Sequence, residues 1–237
     1  MQIALDGDLP RSSDFDQIGE LLPLDGARLL ELGCGAAFTT RRLAESFPLR
    51  QIVAMEVDQI QHQKNLLIPD LPDVTFQYGG AQDIALPDES VDAVIMLKSL
   101  HHVPTEDMEK AFSEISRVLR PGGHAYISEP VYAGDFNDIL RLFNDEKRVR
   151  EAAFEAIRRV VDSGQLALER EIHFHATTRF EGFEEFEHRI LGATHSTFDV
   201  DEALYAQVKE RFMPHVADDG IAEFLSPLRV DLLRKPA

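Results

Sequence analysis

Short apolar or β-branched runs alternate with amphipathic stretches over the first half of the chain. Buried strands of a parallel sheet read as apolar runs, so five runs predict strands at residues 27–32, 51–57, 74–78, 91–97 and 124–130. Residues 39–47, 58–67 and 105–119 have helical spacing. This alternation predicts parallel βαβ units in a doubly wound, mostly parallel α/β sheet.

The amphipathic pattern is strongest in residues 105–119, where Met108, Phe112, Ile115 and Leu119 recur at steps of three and four. The sequence RPGG at residues 120–123 follows directly. Because proline and glycine do not continue a helix, we expect the helix to stop there, before the fifth strand.

The second half of the chain follows a different pattern. Residues 135–163, 182–191 and 201–212 have helical character, whereas residues 166–180 and 221–235 are strand-like. We expect one domain, residues 1–237, with a cofactor-binding core at 27–130. A helical, lid-bearing insertion would then shape a substrate region from residues 1–25 and 131–220, and residues 221–235 would close the sheet.

Charge and cysteine content narrow the classes of partner. The chain has 237 residues, 24 Lys plus Arg and 42 Asp plus Glu, for a net charge of −18. A field of that sign repels phosphate backbones and anionic lipid, which disfavours nucleic acid and membrane partners. A single cysteine indicates a reducing compartment, and the first ten residues do not resemble a secretion signal, so we expect a cytoplasmic protein. Nothing in the sequence indicates an oligomeric state.

The sequence ELGCGAAF, residues 31–38, places Gly33 and Gly35 between a predicted strand and a predicted helix. Glycines there allow a tight turn that brings backbone N–H groups close to a ligand. Glu56 ends the next strand, 21 residues after Gly35, where an acidic side chain grips ribose hydroxyls. Phe38 stands where a dinucleotide loop has its third glycine, which favours an adenosine without a diphosphate.

Five segments carry a family resemblance: LLELGCGAA, VAMEVD, GGAQDIALPDESVDAVIML, LHHV and ISRVLRPGG. In this order they resemble the class I S-adenosylmethionine-dependent methyltransferases, over residues 27–130. The resemblance implies a seven-stranded sheet whose last strand is antiparallel. It also implies S-adenosylmethionine as the cofactor and S-adenosylhomocysteine as its product.

The resemblance also assigns cofactor contacts by position. Glu31 and the backbone of Gly33 would hold the methionine amino group, and Glu56 would take the ribose hydroxyls. The remaining contacts would come from the turn beneath the ligand, from the adenine pocket and from the end of the fourth strand: Cys34, Gly35, Val57, Ala81, Gln82, Leu97 and Lys98, with Asp83 nearby. Two positions depart from the family, since Ala37 replaces a frequent glycine and Gly80 a frequent aspartate. Gln82 or Asp83 would then have to bind the adenine amino group.

Methyl transfer from a sulfonium is an in-line displacement that depends mainly on placing the reactants. A base is needed only for a nucleophile that arrives protonated. His101 and His102 follow the fourth strand and Glu129 ends the fifth, so these three are the candidate catalytic residues. His195 could reach the site from a lid. His173 and His175 lack a neighbouring carboxylate or cysteine at ligand spacing, and we expect no metal.

We expect a methyltransferase that acts on a small-molecule substrate. The alternatives are a methyltransferase acting on protein or nucleic acid, a dehydrogenase, and a module that binds the cofactor without transfer. The sequence LKSLHHV after the fourth strand lacks the Asn/Asp-Pro-Pro-aromatic pattern of enzymes that methylate base amines. Phe38 and RVLRPGG argue against a dehydrogenase.

Overall fold

Seven strands form one mixed sheet in the computed structural model, which describes residues 1–5, 7–192 and 198–237. The strands are β1 (Arg28–Leu32), β2 (Gln51–Glu56), β3 (Val74–Tyr78), β4 (Val91–Leu97), β5 (Leu119–Pro130), β6 (Ala167–Phe180) and β7 (Ala222–Arg234). Their spatial order is β3-β2-β1-β4-β5-β7-β6. Strands β1 to β5 pair in parallel, and β7 is antiparallel to both β5 and β6. The predicted fold class is confirmed.

Helices cover both faces of this sheet. They are α1 (Asp14–Leu21), α2 (Phe38–Ser46), α3 (Gln59–Asn65), α4 (Met108–Val118), α5 (Asp135–Leu140), α6 (Lys147–Asp162), α7 (Gly182–Phe186) and α8 (Glu202–Phe212). Short 3-10 turns occupy Leu100–His102, Thr105–Asp107 and Met213–His215, and a π turn occupies Glu187–Leu191. None of the helices in the described ranges has the length and hydropathy that crossing a membrane requires.

Strands β1, β2 and β4 are buried on both faces, as their apolar runs predict, whereas β3 at the edge of the sheet has no buried residue. In β1, Leu30 packs in the cluster that contains Ile115 of α4 and Ile157 of α6, whereas Leu29 packs on the opposite side with Ile18 of α1 and Leu43 of α2. A third cluster lies at the far end of β6 and β7 and is built mainly from phenylalanines: Phe180, Phe183, Phe186, Phe212 and Phe224. The two main clusters fix the sheet between its helices.

The region around RPGG differs from the prediction. Helix α4 ends at Val118, and β5 begins at Leu119, so residues 120–123 lie inside the strand. A register irregularity between Val91 and Ala93 of β4 accommodates them. A Cβ on Gly123 would lie 2.9 Å from the carbonyl oxygens of Arg120 and Asp92, so the close strand approach requires glycine here.

Three predicted helices are shorter or interrupted. The stretch 105–119 starts with a 3-10 turn, and 182–191 ends in the π turn. The stretch 135–163 is broken at residues 141–146, where the Asp145 side chain accepts a hydrogen bond from the backbone N–H of Lys147. Short polar side chains that bond to nearby backbone compete with helix formation, which explains this break.

Candidate functional site

A cavity of about 650 Å³ lies at the carboxyl ends of β1, β2 and β4. The connections of the sheet reverse direction between β1 and β4, and open α/β sheets bind ligands at such a point. The walls contain eight of the predicted cofactor contacts and one candidate catalytic residue: Gly33, Gly35, Glu56, Val57, Ala81, Gln82, Leu97, Lys98 and His102. The volume falls in the ordinary range for small-molecule sites, roughly 300–1,000 Å³.

The two glycines of the loop meet different requirements. Gly33 has φ +75°, and a Cβ there would lie 2.8 Å from Ser99 Cβ, so both conformation and space demand glycine. Gly35 has φ +51°, but its Cβ would meet nothing within 4 Å because this residue borders the cavity. Ala37 also adopts the left-handed conformation, with φ 60°, where the family often has glycine.

Glu56 connects the end of β2 to the glycine loop. Its carboxylate accepts hydrogen bonds from the backbone N–H groups of Gly35 at 2.7 Å, Val57 at 2.8 Å and Asp58 at 2.8 Å. The residue is 7% exposed and lines the cavity. The loop and the carboxylate therefore form one rigid wall.

Glu31 and Cys34 lie behind that wall and do not line the cavity. Glu31 is 2% exposed and accepts a hydrogen bond from Thr40 Oγ1 at 2.6 Å. Burial raises the pKa of Glu31 to about 7, the hydrogen bond from Thr40 lowers it, and the negative charge of Glu56 adds to the rise. Burial also raises the pKa of the Cys34 thiol, with smaller contributions from Glu31 and Glu56, so Cys34 is a poor nucleophile.

The predicted adenine pocket is formed by Ala81 and Gln82, with Gly80 beside them. A Cβ on Gly80 would lie 2.5 Å from Gln82 Oε1, so the amide of Gln82 covers the space that an aspartate at position 80 would enter. This placement agrees with Gln82 as the replacement acceptor. Asp83 does not line the cavity.

The opposite wall is formed by Leu97 and Lys98 at the end of β4. Lys98 has φ 52°, and its Nζ lies 3.2 Å from Asp14 Oδ2 of α1. The same carboxylate accepts a hydrogen bond from the Tyr126 hydroxyl at 3.1 Å. One carboxylate thus connects α1 to the carboxyl end of β4 and to β5.

His101 and Glu129 form a buried pair. His101 is 4% exposed and Glu129 is 3% exposed, and Nδ1 of the imidazole lies 2.5 Å from Glu129 Oε2. The other oxygen of Glu129 accepts from the Leu100 backbone N–H at 2.9 Å, and His101 Nε2 lies 3.7 Å from Glu146 Oε2. Burial by itself lowers the pKa of His101, but Glu129, through charge and hydrogen bond, and Glu146, through charge, raise it above its ordinary value.

His102 occupies a different environment, although it follows His101 directly. It is exposed and lines the cavity, and its ring centroid lies 4.1 Å from that of His101. His101, His102 and Glu146 have potential metal-ligand atoms within 4.8 Å of one another. Arg150 donates to Glu146 at 2.7 Å, so a cation there would compete with this guanidinium. The expectation that no metal binds stays a prediction.

The other histidine candidates lie away from the cavity. His173 and His175 are on β6, and His173 Nε2 lies 3.6 Å from Glu171 Oε1, beyond hydrogen-bond distance. Burial lowers the pKa of His173, which favours a neutral ring. His195 lies outside the described residues.

The structure corrects the interpretation of Phe38. Its side chain is 82% exposed at the start of α2, so the ring does not fill the space between helix and strand. The argument against a diphosphate from a bulky ring at this position is therefore not supported by the packing.

Sequence analysis missed Asp14, Tyr126, Glu146 and Arg150. Asp14 lies 84 residues from Lys98 in the chain. Glu146 and His101 are separated in the sequence by α4 and β5. Because no local pattern connects such distant positions, only the tertiary structure shows that they meet.

Comparisons with known proteins agree with this geometry. A family model described as a methyltransferase domain matches residues 30–127. An uncharacterized methyltransferase of Mycobacterium bovis is 39% identical over 108 residues, which is 46% of this chain and 42% of that protein. The 27-O-demethylrifamycin SV methyltransferase of Amycolatopsis mediterranei is 33% identical over 145 residues, covering 57% of this chain and 50% of that protein. The chain thus spans half or less of these relatives.

A solved structure extends the similarity beyond the matched domain. The YcgJ protein of Bacillus subtilis superposes with a TM-score of 0.68 at 18% identity, and the match covers 94% of this chain and 98% of that chain. At this identity the likeness concerns the fold. The domain match and this fold coincide with the glycine-loop cavity, so residues 30–127 are similar to a methyltransferase domain and the whole chain shares the fold of such proteins.

Proposed function

We propose that the protein transfers a methyl group from S-adenosylmethionine to a small-molecule acceptor. The observation that carries the proposal is the cavity wall formed by the glycine loop and the Glu56 carboxylate. Gly35 leaves space where any side chain would enter the cavity, and Val57 presents an exposed apolar side chain on the same wall. These features fit an adenosine whose ribose hydroxyls face Glu56.

When bound, S-adenosylmethionine supplies a methyl group on a positively charged sulfur, and S-adenosylhomocysteine is released. Val57, Ala81 and Gln82 would surround the adenine, and the backbone of Gly33 would face the methionine part. Leu97 and Lys98 would border that part from β4. Glu31, behind the loop, would act on the methionine amino group through the turn at Gly33 and Cys34.

His102 is the residue that we assign to accept a proton from the acceptor. It lines the cavity on the side of Lys98, whereas His101 is buried behind it. A base must lie within reach of the proton that it removes, and an imidazole titrates near neutral pH. The acceptor would be a hydroxyl, amine or thiol that arrives protonated.

His101 and Glu129 are assigned as positioning residues. The Glu129 carboxylate fixes the His101 ring at Nδ1, and Glu146 faces Nε2. The His101 ring would then support His102 through their ring contact, with centroids 4.1 Å apart. A base whose ring is oriented by fixed neighbours loses less freedom on reaching the transition state.

The relative with a named acceptor supports a small-molecule substrate. The name of the Amycolatopsis mediterranei protein specifies 27-O-demethylrifamycin SV as its acceptor. A net charge of −18 on the present chain also disfavours nucleic acid. We propose that residues 1–25 and 131–220 enclose the acceptor.

Two measurements, made one after the other, test this function. Calorimetry with S-adenosylhomocysteine should show saturable binding that Glu56→Ala weakens. Incubation of metabolite pools with methyl-labelled S-adenosylmethionine should then give a labelled product detectable by mass spectrometry. Cofactor binding without label on any small molecule, together with label on protein or nucleic acid, would contradict the small-molecule assignment.

A further inference from the structure

A second cavity lies beyond the His101–Glu129 pair and is separate from the cofactor cavity. It has a volume of about 170 Å³ and lies between the end of β5, helix α6 and the amino-terminal residues 3 and 4. Its lining includes Ile3, Ala4, Glu129, Val131, Arg150 and Arg229. The two cavities share no lining residue, although Glu129 of this lining also orients His101.

Arg229 is a buried cationic group in the lining of this cavity. It lies on β7, is 3% exposed, and pairs in register with Glu129 on β5 and with His173 on β6. Its guanidinium carbon lies 4.3 Å from the ring centroid of Phe154 on α6. The cation is therefore held in place by the sheet on one side and by an aromatic ring on the other.

Arg229 has spare hydrogen-bonding capacity. Its Nε donates to Asp231 Oδ2 at 2.8 Å, and this is the one side-chain hydrogen bond that it makes within the described part of the chain. A guanidinium carries further N–H donors on its two terminal nitrogens. Since Arg229 lines the cavity, a ligand that brings oxygen atoms can accept hydrogen bonds from these nitrogens in place of solvent.

Two other charged groups of the cavity are already engaged. Glu129 binds His101 and the Leu100 backbone, and Arg150 donates to Glu146 and to Asn137 Oδ1. Lys147 is exposed, and its Nζ lies 3.8 Å from Glu151 Oε1, beyond hydrogen-bond distance. Among the charged groups of this lining, Arg229 is thus the buried one from which a ligand can draw new hydrogen bonds.

We propose that this cavity binds a small carboxylate, with both oxygens on the terminal nitrogens of Arg229. The planar guanidinium matches a carboxylate in a paired arrangement. Ile3, Ala4 and Val131 offer apolar contacts to the rest of such a ligand. A single negative charge suits the site better than a phosphate dianion, because the carboxylates of Glu129 and Glu151 are also in the lining. This proposal does not depend on the proposed function.

Benzoate and benzamide form the test pair, since they share a shape and differ in charge. Cavities of about 150 Å³ are known to accommodate benzene, so a ring of this size fits the volume. Binding is measured by calorimetry on the full chain in about 0.15 M chloride, where the Debye length of about 8 Å screens the acidic surface. Benzoate should bind about tenfold or more tightly than benzamide.

Two variants probe opposite walls of the cavity. Arg229→Lys keeps the charge but loses the paired geometry, and Ala4→Phe fills the space from the exposed segment without touching a buried ion pair. Each should weaken benzoate binding at least about tenfold, whereas Arg158→Lys, on the exposed side of α6, should leave it unchanged. Circular dichroism confirms folding, and Ala4→Phe decides the result if Arg229→Lys does not fold.

Several outcomes overturn the proposal: equal binding of benzoate and benzamide, unchanged benzoate affinity in the folded variants, or preferential binding of inorganic phosphate. S-adenosylhomocysteine binding is measured on the same samples. Retained S-adenosylhomocysteine affinity with no benzoate binding would refute this site and leave the proposed function standing. Benzoate binding without S-adenosylhomocysteine binding would support this site and contradict the proposed function.

Discussion

The rings of His101 and His102 have centroids 4.1 Å apart and planes inclined by 41°, yet one ring is buried against carboxylates and the other lies on the cavity wall. The 3-10 turn Leu100–His102 directs consecutive side chains to different sides. Sequence alone makes the two residues equivalent candidates for a base. The structure places His102 on the cavity wall and His101 behind it, and the different roles that we propose for them can be measured.

Substitution of the two histidines should therefore have unequal effects. His102→Ala should lower kcat by roughly 10²–10⁴-fold, as expected for loss of a proton acceptor, with little change in melting temperature. His101→Ala should destabilise the fold, because it leaves the Glu129 carboxylate buried without its partner, and should shift the pH profile of turnover. Steady-state kinetics against pH and thermal unfolding measure both effects. Matching losses of turnover at unchanged stability would contradict the assignment.

The ribose contact can be tested by calorimetry on Glu56→Ala. Loss of the carboxylate should weaken S-adenosylhomocysteine binding by about 1–3 kcal/mol, because a hydrogen-bonding partner in a largely buried site is removed. Glu106→Ala removes an exposed carboxylate elsewhere and serves as the matched control. Since Glu56 also accepts three backbone hydrogen bonds, melting temperatures must be compared at the same time. Unchanged affinity in folded Glu56→Ala would refute the ribose assignment.

Substitution of the two loop glycines should affect stability and cofactor affinity to different extents. Gly33→Ala should destabilise the protein, because its Cβ would collide with Ser99 in addition to the left-handed strain. Gly35→Ala carries the strain alone, about 1–2 kcal/mol, while its methyl group points into the cavity. We expect Gly35→Ala to lose more cofactor affinity than stability. Chemical denaturation and calorimetry on both variants provide the comparison, and identical profiles would show that the loop does not divide in this way.

Glu31 should make stability depend on pH. Its pKa rises from 4.5 to about 7 in the folded state, so folding retains a proton that the unfolded chain releases. A raised carboxyl pKa means that stability falls as pH increases from about 4.5 to 7, by an amount of about 3 kcal/mol. Glu31→Gln keeps the contact with Thr40 and should remove this slope, becoming more stable than the parent at pH 8 and equal to it at pH 4.

Urea denaturation across this pH range measures the Glu31 effect, with Glu106→Gln as an exposed control. If Glu31 also acts on the methionine amino group, the stabilised variant should bind S-adenosylmethionine less tightly. Such an exchange of stability for binding is common at functional sites. A pH slope that persists in Glu31→Gln would mean that another group causes it.

The strands of the parallel part of the sheet could be predicted because burial on both faces gives β2 and β4 apolar runs, and β3 has a run of β-branched and aromatic residues. The bounds of β3 and β4 match the predicted runs, and β2 differs by one residue at its end. RPGG follows the end of α4 as predicted, but β5 starts at Leu119 and not at residue 124, because the proline and glycines typical of a helix end here lie within the strand. Their inclusion in β5 depends on the irregular pairing with β4.

The approach of the glycine loop to Glu56 was predictable from local spacing, whereas the surroundings of the histidines were not. Gly33, Gly35 and Glu56 lie within one strand–helix–strand unit, so their separation in sequence fixes their approach in space. Glu146 reaches His101 from the segment just before α6, and Asp14 reaches Lys98 from α1. Such contacts arise when distant elements pack over the sheet. The exposure of Phe38 likewise depends on the direction in which α2 leaves the loop.

The position of β7 has a consequence for the order of folding. This strand lies between β5 and β6, and β6 pairs along its length with β7. During synthesis β6 therefore emerges before the strand that joins it to the sheet. Its hydrogen bonds to β7 can form only after residues 222–234 have been made. Pairing with so late a segment closes a long loop, which is a slow step. We expect ribosome-bound chains that end before residue 222 to be sensitive to proteases along β6 and prone to associate through its unpaired edge.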